Sequence, residues 1–112
     1  TVLPGRVLSI AIENDIAYVA QGDFYLEGKK GWVSILDIRD KKHPKVLKHL
    51  KYGNTIKRVT MNDHILYVPD TNYFKYKKRW LHIYDTSAPQ TPRLLSTTKM
   101  KNYVSYLTYL DK

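Results

Sequence analysis

The sequence predicts an all-β chain built from repeated four-stranded antiparallel units. Three observations carry that prediction. Apolar residues recur with period two, the stretch that follows Val7 is echoed after Ile56, and no segment combines a helix cap with a sustained apolar face at helical spacing. Ten Tyr against five Gly point the same way, because aromatic and β-branched side chains suit a pleated surface.

The echo aligns in two blocks. "VLSIAIENDIAYVA" (7–20) lies over "IKRVTMNDHILYVP" (56–69) at an offset of 49 residues, so Ile10 meets Val59, Ile12 meets Met61, and Tyr18-Val19 meets Tyr67-Val68. "WVSILDIRDKKHP" (32–44) lies over "WLHIYDTSAPQTP" (80–92) at an offset of 48, where Trp, Ile, Asp and Pro all coincide. A third copy begins at "YVSYLTYLDK", with Val104, Leu107 and Tyr109 answering Ile56, Val59 and Met61. The expected units are residues 1–54, 55–100 and the start of a third at 101–112.

Each full unit reads as four short strands. In the first these fall at 7–12, 16–20, 32–38 and 45–50, and in the second at 56–61, 65–68, 80–84 and 93–96. "ENDI" and "NDHI" separate the first two strands of each unit and are Asn/Asp-rich tight turns of the hairpin kind. Asp37 and Asp85 close the third strands, each seven residues before a Pro. At such positions the carboxylate accepts backbone N–H groups of its own turn, while Pro44 and Pro92 stop the ladder. Trp32 and Trp80 open the third strands and are expected to pack between units or under the insertions, the indole N–H bonded to a loop carbonyl.

Four antiparallel strands in a repeating unit of this length are the sequence signature of β-propeller blades. The parts "AYVAQGD", "VSILDIRDKKHP", "LYVPDTN" and "YDTSAPQTPRLLS" resemble the LVIVD-repeat family. The resemblance spans nearly the whole chain and implies a propeller, commonly on secreted or cell-surface bacterial and archaeal proteins; it implies no single activity. The chain departs from that pattern mid-unit, where family blades use a short Gly-rich turn and this sequence carries long basic-aromatic insertions. Two blades cannot close a ring, since each leaves apolar faces for neighbours. The expectation is therefore a segment of a longer propeller, favoured by the break at Lys112 inside the third unit, or a homo-oligomer whose copies supply the further blades.

Composition narrows the chemistry. There is no Cys, which excludes disulfides, thiolate metal sites and Cys nucleophiles. No apolar run approaches the roughly 20 residues a spanning helix needs. None of His43, His49, His64 and His82 pairs at a spacing that shares a metal, although His82, opposite Ser34 of the first unit, is placed to face a channel. No Gly-rich phosphate loop, Gly-x-Ser-x-Gly or kinase signature occurs. No catalytic, metal or cofactor residues are therefore assigned.

A net charge of +9 favours an anionic or acidic partner. The insertions concentrate that charge among rings, and the candidate partner-binding residues are Phe24, Tyr25, Lys29, Lys30, Tyr73, Phe74, Lys75, Tyr76, Lys77, Lys78 and Arg79. Blade topology brings both insertions and the basic unit-to-unit connections (Lys51, Lys57 and Arg58; Lys99 and Lys101) to one face. Such a surface holds phosphate or sulfate by charge and sugars or bases by stacking. The leading reading is a non-enzymatic interaction scaffold for a protein or glycan. The alternatives are nucleic-acid or other polyanion binding by the same face, and support of an active site elsewhere in a longer chain.

Overall fold

The computed structural model describes residues 2–23, 30–71 and 79–100. Within them the chain is all-β: β1 (Arg6–Glu13), β2 (Ile16–Gly22), β3 (Gly31–Asp37) and β4 (Lys45–Tyr52), then β5 (Thr60–Asn62), β6 (Ile65–Thr71), β7 (Arg79–Asp85) and β8 (Arg93–Lys99). The strands form two four-stranded sheets, each an antiparallel meander in sequence order. Among the described residues there is no helix, and so none long and apolar enough to cross a membrane.

The turns follow from their residues. Asn14 and Asp15 have φ of 52° and 62°, and Asp63 and His64 have 49° and 65°. Left-handed backbone at both central positions gives a two-residue hairpin turn matched to strand twist, and Asn and Asp tolerate it best. Asp37 Oδ1 accepts the N–H of Arg39 at 3.0 Å, and Asp85 Oδ1 that of Ser87 at 2.8 Å, so both carboxylates organise the turns that follow β3 and β7.

One expected strand is corrected. The reading at 56–61 shrinks to Thr60–Asn62, because the residues before it bridge the sheets instead. Ile56 N–H donates to Gln21 O at 3.2 Å, a bond that a strand of the second sheet cannot make at that point. Ile38 likewise lies outside β3, and its N–H donates to Asp15 O at 2.9 Å across the neighbouring turn.

Cross-strand register assigns the faces. Tyr18 opposes Ile35 and Ala20 opposes Val33, so these four share one face of the first sheet, here called its trailing face. Leu66 opposes Tyr84 and Val68 opposes His82, which defines the leading face of the second sheet. The two faces meet: Tyr18, Ala20, Val33 and Ile35 form one buried cluster with Ile56, Val59, Leu66, Val68 and Tyr84. Each fully buried Val, Leu or Ile there contributes about 2 kcal/mol relative to exposure. The leading face of the first sheet carries a smaller cluster, Ala17, Val19 and Leu36, with Leu3, Ile38 and Val46 against it.

Candidate functional site

The two ends of this sheet pair differ in chemistry. At the insertion end, Gly22 pairs with Gly31 and Thr71 with Arg79, so both long connections leave from the same side. The chain from β4 to β5 crosses the first of these openings. A Cβ on Gly31 would lie 1.9 Å from Asn54 O, and one on Gly22 would lie 2.2 Å from Thr55 Cγ2. Two glycines are thus required for the connector to press on the sheet end. Thr55 Oγ1 then donates to Lys30 O at 3.3 Å, and Asp23 N–H to the same oxygen at 3.1 Å, which ties the base of the insertion to the connector.

Of the sequence-predicted partner residues, Lys30 is exposed at this end and Arg79 opens β7. Phe24, Tyr25, Lys29 and the run from Tyr73 to Lys78 lie outside the described residues. Register brings further cations to the same end: Arg6 opposite Gly22, Lys51 opposite Trp32 and Lys99 opposite Trp80. The described acids there are Asp23 and Asp70, and Asp70 is 6 % exposed.

Asp70 belongs to a constellation the sequence reading did not assemble. Its Oδ1 accepts from Asn54 Nδ2 at 2.8 Å, and its Oδ2 lies 2.8 Å from His82 Nε2. His82 Nδ1 lies 3.2 Å from Thr97 Oγ1. With Nε2 protonated toward the carboxylate, Nδ1 accepts the Thr97 hydroxyl proton. The Tyr52 ring packs on the imidazole with centroids 5.2 Å apart, and the Tyr52 and Tyr84 hydroxyls are 2.7 Å apart. Burial pushes both phenols above their ordinary value.

The order carboxylate, imidazole, hydroxyl is that of a nucleophilic relay, but the first sheet holds the same row at equivalent positions. Gln21 Nε2 donates to Ser34 Oγ at 2.6 Å, and Ser34 Oγ lies 2.7 Å from His49 Nδ1. Gln21 also accepts from Gly5 N–H at 3.0 Å and donates to Val19 O at 3.1 Å. A polar row across strands two, three and four recurs with different side chains, and only the second copy holds a carboxylate. That duplication marks the row as construction, in which every buried polar group is given a partner. The signal for it was readable: the offsets that align the units place Asp70 on Gln21 and His82 on Ser34.

At the opposite end an open cleft of about 560 Å³ runs between the hairpin turns, lined among others by Glu13, Tyr18, Asp37, Arg39, His64 and Thr86. Its charges are engaged internally. Arg39 makes bonds to both carboxylate oxygens of Asp37, and Glu13 Oε1 accepts His64 N–H at 2.9 Å. The Arg39 hydrogen bonds, side chain first and backbone second, hold Asp37 below the usual carboxylate range. His43 and Asp40 form an exposed pair nearby. Among the described residues no three His, Asp or Glu side chains group as metal ligands do. Compared with known protein families and with the curated proteins, the sequence matches none.

Proposed function

We propose that the chain is a segment of β-propeller blades of the LVIVD-repeat kind, working as a non-enzymatic interaction scaffold for an anionic protein or glycan. The blade reading is supported by two consecutive meander sheets stacked face to face in sequence order. Each presents the same pattern of turns and polar row.

One observation carries the choice of surface: the charges at one end are mixed and paired locally, whereas those at the other are mostly positive. The hairpin-turn end mixes Asp and Glu with Lys and Arg and pairs them locally, as in Asp37 with Arg39 and Asp85 with Arg93. The insertion end gathers Lys30, Lys51 and Lys99, while its buried acid, Asp70, is committed to His82. A positive end on a chain of net charge +9 raises the local concentration of anionic partners and their association rate. The two insertions that carry the candidate Lys and aromatic residues connect strands at this end.

The test is retention on a sulfated glycan matrix and on an acidic polypeptide matrix, compared with binding of a single-stranded oligonucleotide at two salt concentrations. Substitution of Lys29, Lys30, Lys77 and Lys78 by Ala is expected to weaken glycan or polypeptide retention sharply. Unchanged retention sinks the reading. Tighter oligonucleotide binding with a steep loss on adding salt transfers the site to nucleic acid.

A further inference from the structure

We infer that the outer edge of the first sheet, strand β4, binds a linear sulfated glycan that continues down it from the insertion end. The inference rests on the basic-end reading for the glycan's upper contacts and adds a second stretch of surface to that site.

Comparison of the two sheets carries it. β4 and β8 are equivalent edge strands, and their pairings shift register at the matching point. At the offset of 48 residues that aligns them, Lys41, Lys42, Lys48 and His49 stand where the second sheet has Pro89, Gln90, Ser96 and Thr97. Only the strand ends agree in charge, Lys45 with Arg93 and Lys51 with Lys99. The same strand is therefore built without a cation at its middle. Protection of an edge from pairing does not demand the charge either, since β8 leaves Leu94 and Leu95 exposed there instead.

Lys41, Lys42, Lys45, Lys48 and Lys51 are all exposed. The acids of the β3–β4 connection are already engaged, Asp37 with Arg39 and Asp40 with His43. Among the described residues none of the five Lys forms a salt bridge. From Lys45 to Lys51 an extended strand covers about 20 Å, and Lys51 brings the row to the insertion end. Lys51 opposes Trp32 and Lys48 opposes Ile35, so the cations leave the edge on both faces of the sheet.

That arrangement selects the partner. A narrow chain lying along the edge is met from both sides, whereas the phosphate rows of a duplex wind away from a straight line. Residues 39–51 contain no aromatic ring, so the bases of a single strand find no stacking platform. An acidic peptide would gain affinity by adding a main-chain ladder to β4. The register shift at Leu47 and the Lys along the edge are features that oppose such addition. A sulfated glycan needs neither ladder nor stack, because its fixed anions exchange their counterions for Lys ammonium groups.

The experiment titrates the full chain with sulfated oligosaccharides of increasing length at fixed ionic strength. Lys42→Gln with Lys48→Ser removes the middle of the row by writing in the residues of the second sheet, and circular dichroism checks that the strand signal is kept. Wild-type affinity is expected to rise with oligosaccharide length and then level. The edge variant is expected to bind the shortest chains as the wild type does and the longest about tenfold more weakly, the worth of two exposed ion pairs. Wild-type affinity of the edge variant at every length overturns the inference. Substitution of Lys29, Lys30, Lys77 and Lys78 by Ala is read in parallel. If that variant binds as the wild type does while the edge variant is weakened, the basic-end reading fails and the edge stands as the site. A duplex oligonucleotide or polyglutamate that binds more tightly than the glycan, and loses that binding in the edge variant, overturns the assignment to a sulfated glycan.

Discussion

Tyr52 of β4 and Tyr84 of β7 hydrogen-bond to each other across the boundary between the two sheets, hydroxyl to hydroxyl at 2.7 Å. Each is about 9 % exposed, so neither hydroxyl has water as a ready alternative partner. Removing one oxygen leaves the other buried and unpaired, which costs about 1–3 kcal/mol, whereas removing both leaves no orphan. Tyr52→Phe and Tyr84→Phe are each expected to destabilise the fold. The double Phe variant is expected to be no worse than either single, measured by urea denaturation. Additive losses would show that the pair is not coupled.

The same burial fixes the alkaline response. Desolvation raises the pKa of Tyr18, Tyr52 and Tyr84 above the ordinary phenol value. A group whose folded pKa lies above its unfolded value stabilises the fold below the unfolded value, about 10 for Tyr. That stability is lost as pH rises beyond it. Absorbance of tyrosinate is expected to appear in two stages, exposed phenols first and the buried three only with loss of the strand signal. Full ionisation while the sheets persist would contradict the assignment.

Gly31 makes the sharpest backbone prediction. Its Cβ position is occupied by the Asn54 carbonyl and the Ile56 amide, which are main-chain atoms and cannot rotate away. Gly31→Ala is expected to cost about 2–4 kcal/mol, at the upper end of single-residue effects. Gly53→Ala meets nothing within 4 Å and serves as the control. Equal melting temperatures for the two variants would mean that the connector does not press on the sheet end.

How legible these features were in the sequence depends on the range of the interaction. Period-two alternation, the Asn/Asp turns and the 48- to 49-residue echo are local or repeated signals, and they yield both meanders and seven of the eight strands nearly in place. The pattern overextends the fifth strand because Ile56 reads as the next alternating apolar residue, while its amide is spent on Gln21 of the other sheet. Asp70 stands where the second insertion begins in the sequence, and nothing local reveals that Asn54 and His82 converge on it. The exposure of Ile10 and Ile12 was equally hidden, because their pattern is identical to that of the covered Val59 and Met61. Sequence pattern encodes which side is apolar, and only packing shows whether that side is met.

The acid limb of stability is expected to depend on the turn carboxylates. Hydrogen bonds from Arg39 to Asp37, and from the Ser87 hydroxyl and backbone to Asp85, lower both pKa values. A depressed folded pKa gives stability that is present above the unfolded value, about 3.9, and is lost as pH falls through the folded one. Asp37→Asn with Asp85→Asn is therefore expected to flatten the decline of melting temperature below pH 4 while lowering stability at neutral pH. An acid limb as steep as that of the wild type would place the titrating groups elsewhere.

The two polar rows invite an exchange. Asp70→Gln with His82→Ser writes the pair Gln21 and Ser34 into the second sheet at matching strand positions. Asp70→Gln alone removes the charge and one of the two acceptor oxygens that Asn54 and His82 share. His82→Ser alone leaves the buried Asp70 carboxylate, 6 % exposed, with Asn54 and without the imidazole. Hydrogen bonds to charged groups are worth about 1.5–3 kcal/mol, so each single change is expected to cost about 2 kcal/mol in urea denaturation. In the double variant the hydroxyl can accept from the amide as Ser34 accepts from Gln21, while the amide oxygen remains an acceptor for Asn54. The double loss is therefore expected to fall short of the summed single losses by about 1 kcal/mol or more, the size of coupling seen between contacting residues. If the losses simply add, the two rows are not interchangeable parts of one construction, and the carboxylate–imidazole pair has a role of its own.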